Sequence, residues 1–243
     1  MRQVEIVRPA GRAHLERVPS GWSVDLDHPK EVDAATDVLR AAIDAVRDDG
    51  GGLLRHWARA GDPVAGAASS ALGLTVEREL LQLRRPLPVD EPWDLEVRPF
   101  VIGRDEAAWL EVNNRAFEWH PEQGHWTLED LEARFTEPWF DPAGFLLHDA
   151  DGRLAGFCWT KQHRGEAPPL GEIYVIAVDP SAGGRGLGRS LTLAGLDHLH
   201  RAGLDVGMLY VDGTNEAGRR LYDQLGFTLH HTDRSYTIEV PAP

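Results

Sequence analysis

Four glycines within six residues, Gly183, Gly184, Gly186 and Gly188, with Arg185 and Arg189 among them, are the sharpest chemical signal in the chain. They follow a β-branched, apolar run, Glu172–Val178 (EIYVIAV), which Asp179-Pro180 stops, and they open what reads as a helix. Glycine admits backbone angles closed to other residues and lets a ligand approach the main chain. Free N–H groups at a helix start, together with the helix dipole, hold anions, and two arginines add charge that suits a phosphate. The loop lacks the Lys-Ser/Thr ending of a Walker loop and does not fit the Gly-x-Gly-x-x-Gly spacing of a dinucleotide site. It predicts a phosphate cradle of another kind.

The remaining polar clusters say less. Glu122 stands among Trp119, His120, His125 and Trp126, a mixture that suits a sugar-like ligand and equally suits a packed loop. His198 and His200 are two apart on a predicted helix, and His230 and His231 are adjacent on a predicted strand, so each pair points to different faces and no metal site is expected. Cys158, the single cysteine, alternates inward with apolar neighbours and reads as a small core residue. It excludes an internal disulfide framework. A net charge of −14 argues against nucleic-acid or anionic-membrane partners. No apolar run approaches the ~20 residues that span a bilayer, and the start, Met1-Arg2-Gln3-Val4-Glu5, has no signal core. The expectation is a cytoplasmic, monomeric protein.

These residues need elements to hold them. A Pro-rich stretch, Arg84–Trp93 (RRPLPVDEPW), reads as an extended linker. After it, Leu95–Phe100 predicts a strand and Asp105–Phe117 a helix with Ala108, Val112 and Ala116 on one face. Thr127 followed by Asp130 opens a helix to Phe135 with a capping box. Phe145–His148 and Leu154–Lys161 form a hairpin about Asp151-Gly152. Glu172–Val178 predicts a central strand, Leu187–Arg201 a helix ended by Gly203, Met208–Val211 a strand, Asn215–Leu225 a helix ended by Gly226, and Phe227–Val240 a strand. Before the linker, Glu31–Arg47 predicts a helix with Val32, Ala35, Leu39, Ala42 and Val46 inward, followed by strand Leu53–Arg59, helix Pro63–Leu72 and strand Thr75–Arg84.

The two parts echo each other. Leu53–Leu74 runs parallel to Val206–Phe227, with Asp62 opposite Asn215 and Ser69 opposite Tyr222, which predicts an internal duplication. The first copy has about thirty residues before its helix, expected to be too few for the three or four strands of the second. Opposite the glycine loop it carries Lys30-Glu31-Val32-Asp33, two carboxylates and no glycine, so this half is expected not to hold the same anion.

The order strand, glycine loop, helix, strand, Asn215, helix, Tyr222, Gly226-Phe227 resembles the GNAT superfamily of acetyl-CoA-dependent acyltransferases over roughly Leu95–Val240. The loop is similar to that family's Arg/Gln-x-x-Gly-x-Gly/Ala pattern, with Gly186 and Gly188 in the glycine positions and Gly183 where the family has Arg or Gln. HPEQGHWTLEDL (His120–Leu131), GFCWTK (Gly156–Lys161), GEIYVIAVDP, LYVDGTNEAGRRLYDQLGF and the linker RELLQLRRPLP (Arg78–Pro88) resemble the mycothiol synthase family, whose members carry two tandem GNAT domains and acetylate the cysteinyl amine of cysteinyl-glucosaminyl-inositol. The resemblance implies an α/β fold with a mixed α+β sheet: a catalytic GNAT domain over residues 94–240, preceded by a partial, degenerate GNAT-like half domain and linker over residues 1–88. It implies that backbone groups of Ile176, Ala177 and Val178 hold the pantetheine arm of acetyl-CoA. The pyrophosphate falls on Gly183, Gly184, Arg185, Gly186, Leu187, Gly188 and Arg189. Further coenzyme contacts fall at Tyr210, Asn215, Glu216, Ala217, Gly218, Arg219 and Arg220, while Glu122, Lys161 and Glu172 face a small-molecule amine, a pseudo-disaccharide cysteinyl amide.

Direct acetyl transfer needs a neutral amine, a polarised thioester carbonyl and a proton for the leaving sulfur. An α-amine titrates near 7.7–8.0, so a modest base suffices. Glu172, acting through water, is the expected base and Tyr222 the expected acid, with backbone N–H groups near Ile176–Val178 polarising the carbonyl. No metal is required. Transfer to another small amine or a protein N-terminus, and a non-catalytic acyl-CoA-binding paralogue, stay open.

Overall fold

The computed structural model describes residues 3–9, 11–27, 29–118, 123–184 and 186–243. Contacts divide the chain into two compact units. Unit 1 holds residues 1–82, 211–219 and 229–243; unit 2 holds residues 83–210 and 220–228.

Unit 1 begins with three strands, β1 (Gln3–Arg8), β2 (Gly11–Val18) and β3 (Gly21–Leu26), in an antiparallel meander. The expectation that this stretch is too short for three strands is therefore wrong. The turns are tight enough for three strands to fit, and their charged outer faces hid the alternation: β2 buries only Ala13 and Leu15 deeply. Helix α1 (Val32–Asp48) follows and buries Ala35, Val38, Leu39, Ala42 and Val46, while Val32 is exposed, against expectation, because it sits in the first turn beyond the covered face. Strand β4 (Gly52–Ala58), helix α2 (Pro63–Ala71) and strand β5 (Thr75–Pro86) complete the copy. β5 runs through Pro86, so the first residues of the expected linker are strand.

Strand β3 lies parallel to β4 through three pairs, Trp22↔Leu54, Ser23↔Arg55 and Val24↔His56. The other side of β4 is closed by the last strand of the chain, β11 (Thr228–Val240), antiparallel from Arg234↔Ala58 to Val240↔Gly52. Tyr236 and Val240 of β11 enter the core built by Leu15, Val24, Leu39 and Leu54.

Unit 2 contains β6 (Arg98–Pro99), α3 (Glu106–Ala116), α4 (Leu128–Phe135), β7 (Phe145–Ala150), β8 (Arg153–His163), β9 (Leu170–Val178), α5 (Leu187–Arg201), β10 (Val206–Asp212, whose last two residues fall in unit 1) and the second half of α6 (Glu216–Gln224). Neighbouring strands β6, β7, β8 and β9 are antiparallel, and β9 and β10 are parallel. Asp151 and Gly152, at φ +52° and +74°, turn β7 into β8, as a type I′ hairpin requires. The Thr127–Asp130 capping box opens α4. Helix α3 turns Trp109, Val112 and Asn113 inward and leaves Ala108 exposed, so its buried face is one residue off the expected one. Trp109 is the reason: it is fully buried against Phe145, Phe157 and Trp159.

Candidate active site

Strand β9 is the backbone of the site. On one side it pairs with β8 through its whole length, with a bulge: Trp159 faces Val175 and Thr160 faces Ile173, so Tyr174 is the extra residue. On the other side it meets β10 through only three pairs, Gly171↔Gly207, Glu172↔Met208 and Ile173↔Leu209. Beyond them, Tyr174–Val178 has no registered partner on β10, and the main-chain groups of Ile176, Ala177 and Val178 on that side are left for something other than the ladder. Ile176 and Val178 are half-buried and Ala177 is buried. Tyr210, the first β10 residue past the ladder, is 38% exposed.

The loop after β9 is pinned at its start. Buried Asp179 accepts from the Ser181 N–H (2.8 Å) and hydroxyl (2.6 Å) and from Arg115 on α3 (2.6 Å). Burial opposes its charge, yet Ser181 and Arg115 together hold its carboxyl below the usual carboxylate range. Gly184 and Gly186 adopt φ +81° and +73°, which glycine alone takes without strain. Gly186 is the N-cap of α5, and no side chain caps the helix. Among the described residues, no backbone or side-chain acceptor takes the N–H groups of Gly183, Gly184, Gly186, Leu187, Gly188 or Arg189. A Cβ built at Gly184 or Gly186 would meet nothing within 4 Å, so protein atoms do not cover the turn. No acidic residue lies in the first turn of α5, and Arg189 there is half-buried. Arg185 lies outside the described residues.

Glu172 and Lys161 are direct partners across β8 and β9, so they share one face. Glu172 is buried (7% exposed), and its Oε2 lies 2.6 Å from His163 Nε2. The Lys161 ammonium sits over the rings of Trp139 (4.5 Å) and Tyr174 (5.3 Å). The wall beside it is aromatic: Trp139 packs on Tyr174 and on Trp159, and Trp126 packs on Trp109 and Trp159. Glu122 lies outside the described residues. His163, Trp139 and the bulge at Tyr174 were not found from sequence. His163 had a signal, two residues after Lys161 and therefore on the same strand face.

Tyr222 on α6 is 8% exposed and packs on Phe227 at 5.7 Å. Burial raises its hydroxyl well above the ordinary tyrosine value, and the Cys158 thiol adds to the rise. The phenol keeps its proton and can donate it. Cys158 is itself buried, and burial raises its thiol.

The other expected coenzyme contacts sit at the start of α6. Asn215, Glu216, Ala217 and Arg219 are exposed members of unit 1, as is half-buried Gly218, and exposed Arg220 belongs to unit 2. Asn215 Oδ1 accepts the Gly218 N–H (2.9 Å), and Arg219 donates to the Gly213 carbonyl (2.9 Å). A separate cleft of about 1080 Å³ in unit 2, lined by Arg98, Arg104, Asp105, Arg115 and Asp179, contains none of the expected site residues. Among the described residues, no group of three His, Cys, Asp or Glu could hold a metal ion, and no helix is long and apolar enough to cross a membrane.

The acetyltransferase (GNAT) family model matches residues 107–227. The chain is 49% identical over 241 residues to a mycothiol acetyltransferase from Thermomonospora curvata, covering 96% of this chain and 80% of that protein. The curated relatives are longer than this chain, which spans from 59% to 80% of their lengths. Among solved structures it resembles a GCN5-related N-acetyltransferase from Sphaerobacter thermophilus (TM-score 0.75, 23% identity, 96% of this chain and 78% of that one). It also resembles a tandem GNAT protein from the clavulanic acid biosynthesis pathway (TM-score 0.65, 17% identity, 96% and 80%). Both structural likenesses speak for the fold.

Proposed function

We propose that this chain, which belongs to the GNAT acetyltransferase family, transfers the acetyl group of acetyl-CoA to the cysteinyl amine of cysteinyl-glucosaminyl-inositol, as a mycothiol acetyltransferase. One observation carries the reading: a strand edge without β10 partners from Tyr174 to Val178 leads to the N–H groups of Gly183, Gly184, Gly186, Leu187, Gly188 and Arg189, which no acceptor takes among the described residues. An open β edge suits the amide-bearing pantetheine arm, and free N–H groups at a helix start suit the pyrophosphate. The fit therefore rests on donors this chain presents. Ile176, Ala177 and Val178 take the arm; Gly183, Gly184, Arg185, Gly186, Leu187, Gly188 and Arg189 take the phosphates; Tyr210 and the 215–220 segment take the rest of the coenzyme. Bound acetyl-CoA supplies the activated acyl carbon.

The chain's own groups do the proton work. Glu172 takes a proton from the attacking nitrogen through a water, and its burial keeps competing donors few. Tyr222, whose raised hydroxyl is protonated at working pH, gives a proton to the departing sulfur. Backbone N–H groups of the open β9 segment polarise the carbonyl. Lys161 and its aromatic wall, with Glu122, form the acceptor side, and aromatic faces beside a cation suit a polyhydroxylated ring. Catalysis is assigned to residues 94–240, with residues 1–88 as a partial copy and linker. No nucleic acid or membrane enters the reaction.

The test is incubation with acetyl-CoA and cysteinyl-glucosaminyl-inositol, with mass spectrometry of the product. One added acetyl group on the cysteinyl nitrogen is expected. Transfer only to a different amine would overturn the acceptor, and tight acetyl-CoA binding without transfer to any amine would overturn the activity.

A further inference from the structure

We infer that His163 is the positioning residue for the base, holding the Glu172 carboxylate by donating its Nε2–H to Oε2. The inference rests on the reading of Glu172 as base and adds a residue to it. His163 ends β8, where it pairs with Leu170; Lys161, two residues earlier, pairs with Glu172. The period of two puts Lys161 and His163 on one face, and the antiparallel register brings Glu172 to that same face, diagonal to His163. The result is a 2.6 Å contact between Nε2 and Oε2. A carboxylate only accepts, so the proton in that contact is the ring's.

The alternative partner is occupied elsewhere. Lys161 stands directly opposite Glu172, yet its ammonium lies over Trp139 and Tyr174, and among the described residues no ion pair joins it to Glu172. His163 is the one hydrogen-bond partner of the carboxylate among those residues. It engages Oε2 and leaves Oε1 for the water that relays the proton from the incoming nitrogen. The Glu172 side chain is 9% exposed and that of His163 26%, so the ring also screens the carboxylate from the solvent side. A base held in one orientation by a third group is the arrangement that makes a proton acceptor competent in a single geometry. The backbone at His163 is itself tied, since its carbonyl accepts from the Glu166 N–H (3.4 Å) in the connection to β9.

The experiment compares His163→Ala, His163→Gln, Glu172→Gln and the double variant His163→Ala/Glu172→Gln in steady-state transfer from acetyl-CoA to the cysteinyl amine, with acetyl-CoA affinity measured separately by calorimetry. His163→Ala is expected to lower kcat about tenfold or more while acetyl-CoA affinity stays within about twofold. His163→Gln, whose amide places a donor near the Nε2 position, is expected to recover kcat to within about threefold of wild type. In the Glu172→Gln background the alanine change is expected to add less than about twofold, since His163 acts through Glu172. Wild-type kcat in His163→Ala, an alanine effect undiminished in the Glu172→Gln background, or a glutamine variant no better than alanine would each overturn the inference. Wild-type turnover in Glu172→Gln would instead overturn the base itself. Should the alanine variant fail to fold, His163→Gln against His163→Asn decides: the shorter amide does not reach Oε2, and equal turnover of the two overturns the inference.

Discussion

Two strand pairs in this chain are built alike and end differently. In unit 1, β3 and β4 zip together through Trp22, Ser23 and Val24; in unit 2, β9 and β10 zip through Gly171, Glu172 and Ile173. Each pair has three registered partners and each first strand leads to a long helix. Pair by pair, Ser23 stands where Glu172 stands, and His56 stands where Leu209 stands. After the ladder, β9 runs on for five residues with no partner on β10, Tyr174–Val178, before Asp179-Pro180, whereas β3 runs on only for Asp25 and Leu26 before the sequence Asp27-His28-Pro29-Lys30-Glu31. Helix α5 starts at a left-handed glycine with no acidic residue in its first turn; α1 starts at Glu31 with Asp33 in its first turn. Acidic groups at a helix start occupy the field that an anion would use. At the later helix, Ser69 replaces Tyr222 and turns its hydroxyl back to the Ala65 carbonyl (2.9 Å). The two copies share a strand–helix frame, while unit 2 carries uncapped glycines at the start of α5 and unit 1 carries Glu31 and Asp33 at the start of α1.

The difference can be attacked directly. Calorimetric titration with acetyl-CoA is expected to give one site per chain, and Gly186→Asp is expected to weaken it by about 100-fold or more, about 2.7 kcal/mol. The change adds a carboxylate to the cradle and strains a +73° φ. A second site, or unchanged affinity in that variant, would erase the contrast between the two loops. Tyr222→Phe is expected to lower turnover about tenfold to a hundredfold while acetyl-CoA affinity holds; equal turnover would make Tyr222 no more active than Ser69.

Smaller effects sharpen the packing side. Gly195 on α5 sits so close to the sheet that a Cβ would lie 2.5 Å from Cys158 Sγ and 2.7 Å from Ile173. Gly195→Ala is expected to cost about 1–3 kcal/mol in chemical denaturation, whereas α1 already buries alanines at positions 35 and 42. The mildest effect belongs to His56. Its Nδ1 lies 3.1 Å from the Val24 carbonyl, its buried Nε2 has no partner among the described residues, and burial lowers its pKa from 6.5. Above that value the ring is neutral folded or unfolded, and its contribution is fully present. As pH falls below 6.5 the unfolded ring takes a proton that the buried ring refuses, so stability drops by at most about 1.4 kcal/mol per pH unit. Urea unfolding at stepped pH checks this, and His56→Leu, which restores the residue type found at Leu209, is expected to flatten the slope.

The loop and helix of unit 2 were readable because their signals are local. Glycine clusters, the Thr127–Asp130 capping box and the Asp151-Gly152 turn each act within a few residues. The strands of unit 1 were hidden because β1 and β2 carry charge on their outer faces and bury few residues each. The Glu172–His163 contact was out of reach for a different reason. It depends on the register His163↔Leu170 and on a bulge that adds Tyr174 to β9, and both are set by pairing between strands.

Strand β11 has a consequence for synthesis. The antiparallel partner of β4 is made of residues 234–240, so when the ribosome has released the first eighty residues, β4 still shows a bare flank and a core missing Tyr236 and Val240. The core around β4 is translated early and must wait, reaching its final form only when residues 234–240 have been made.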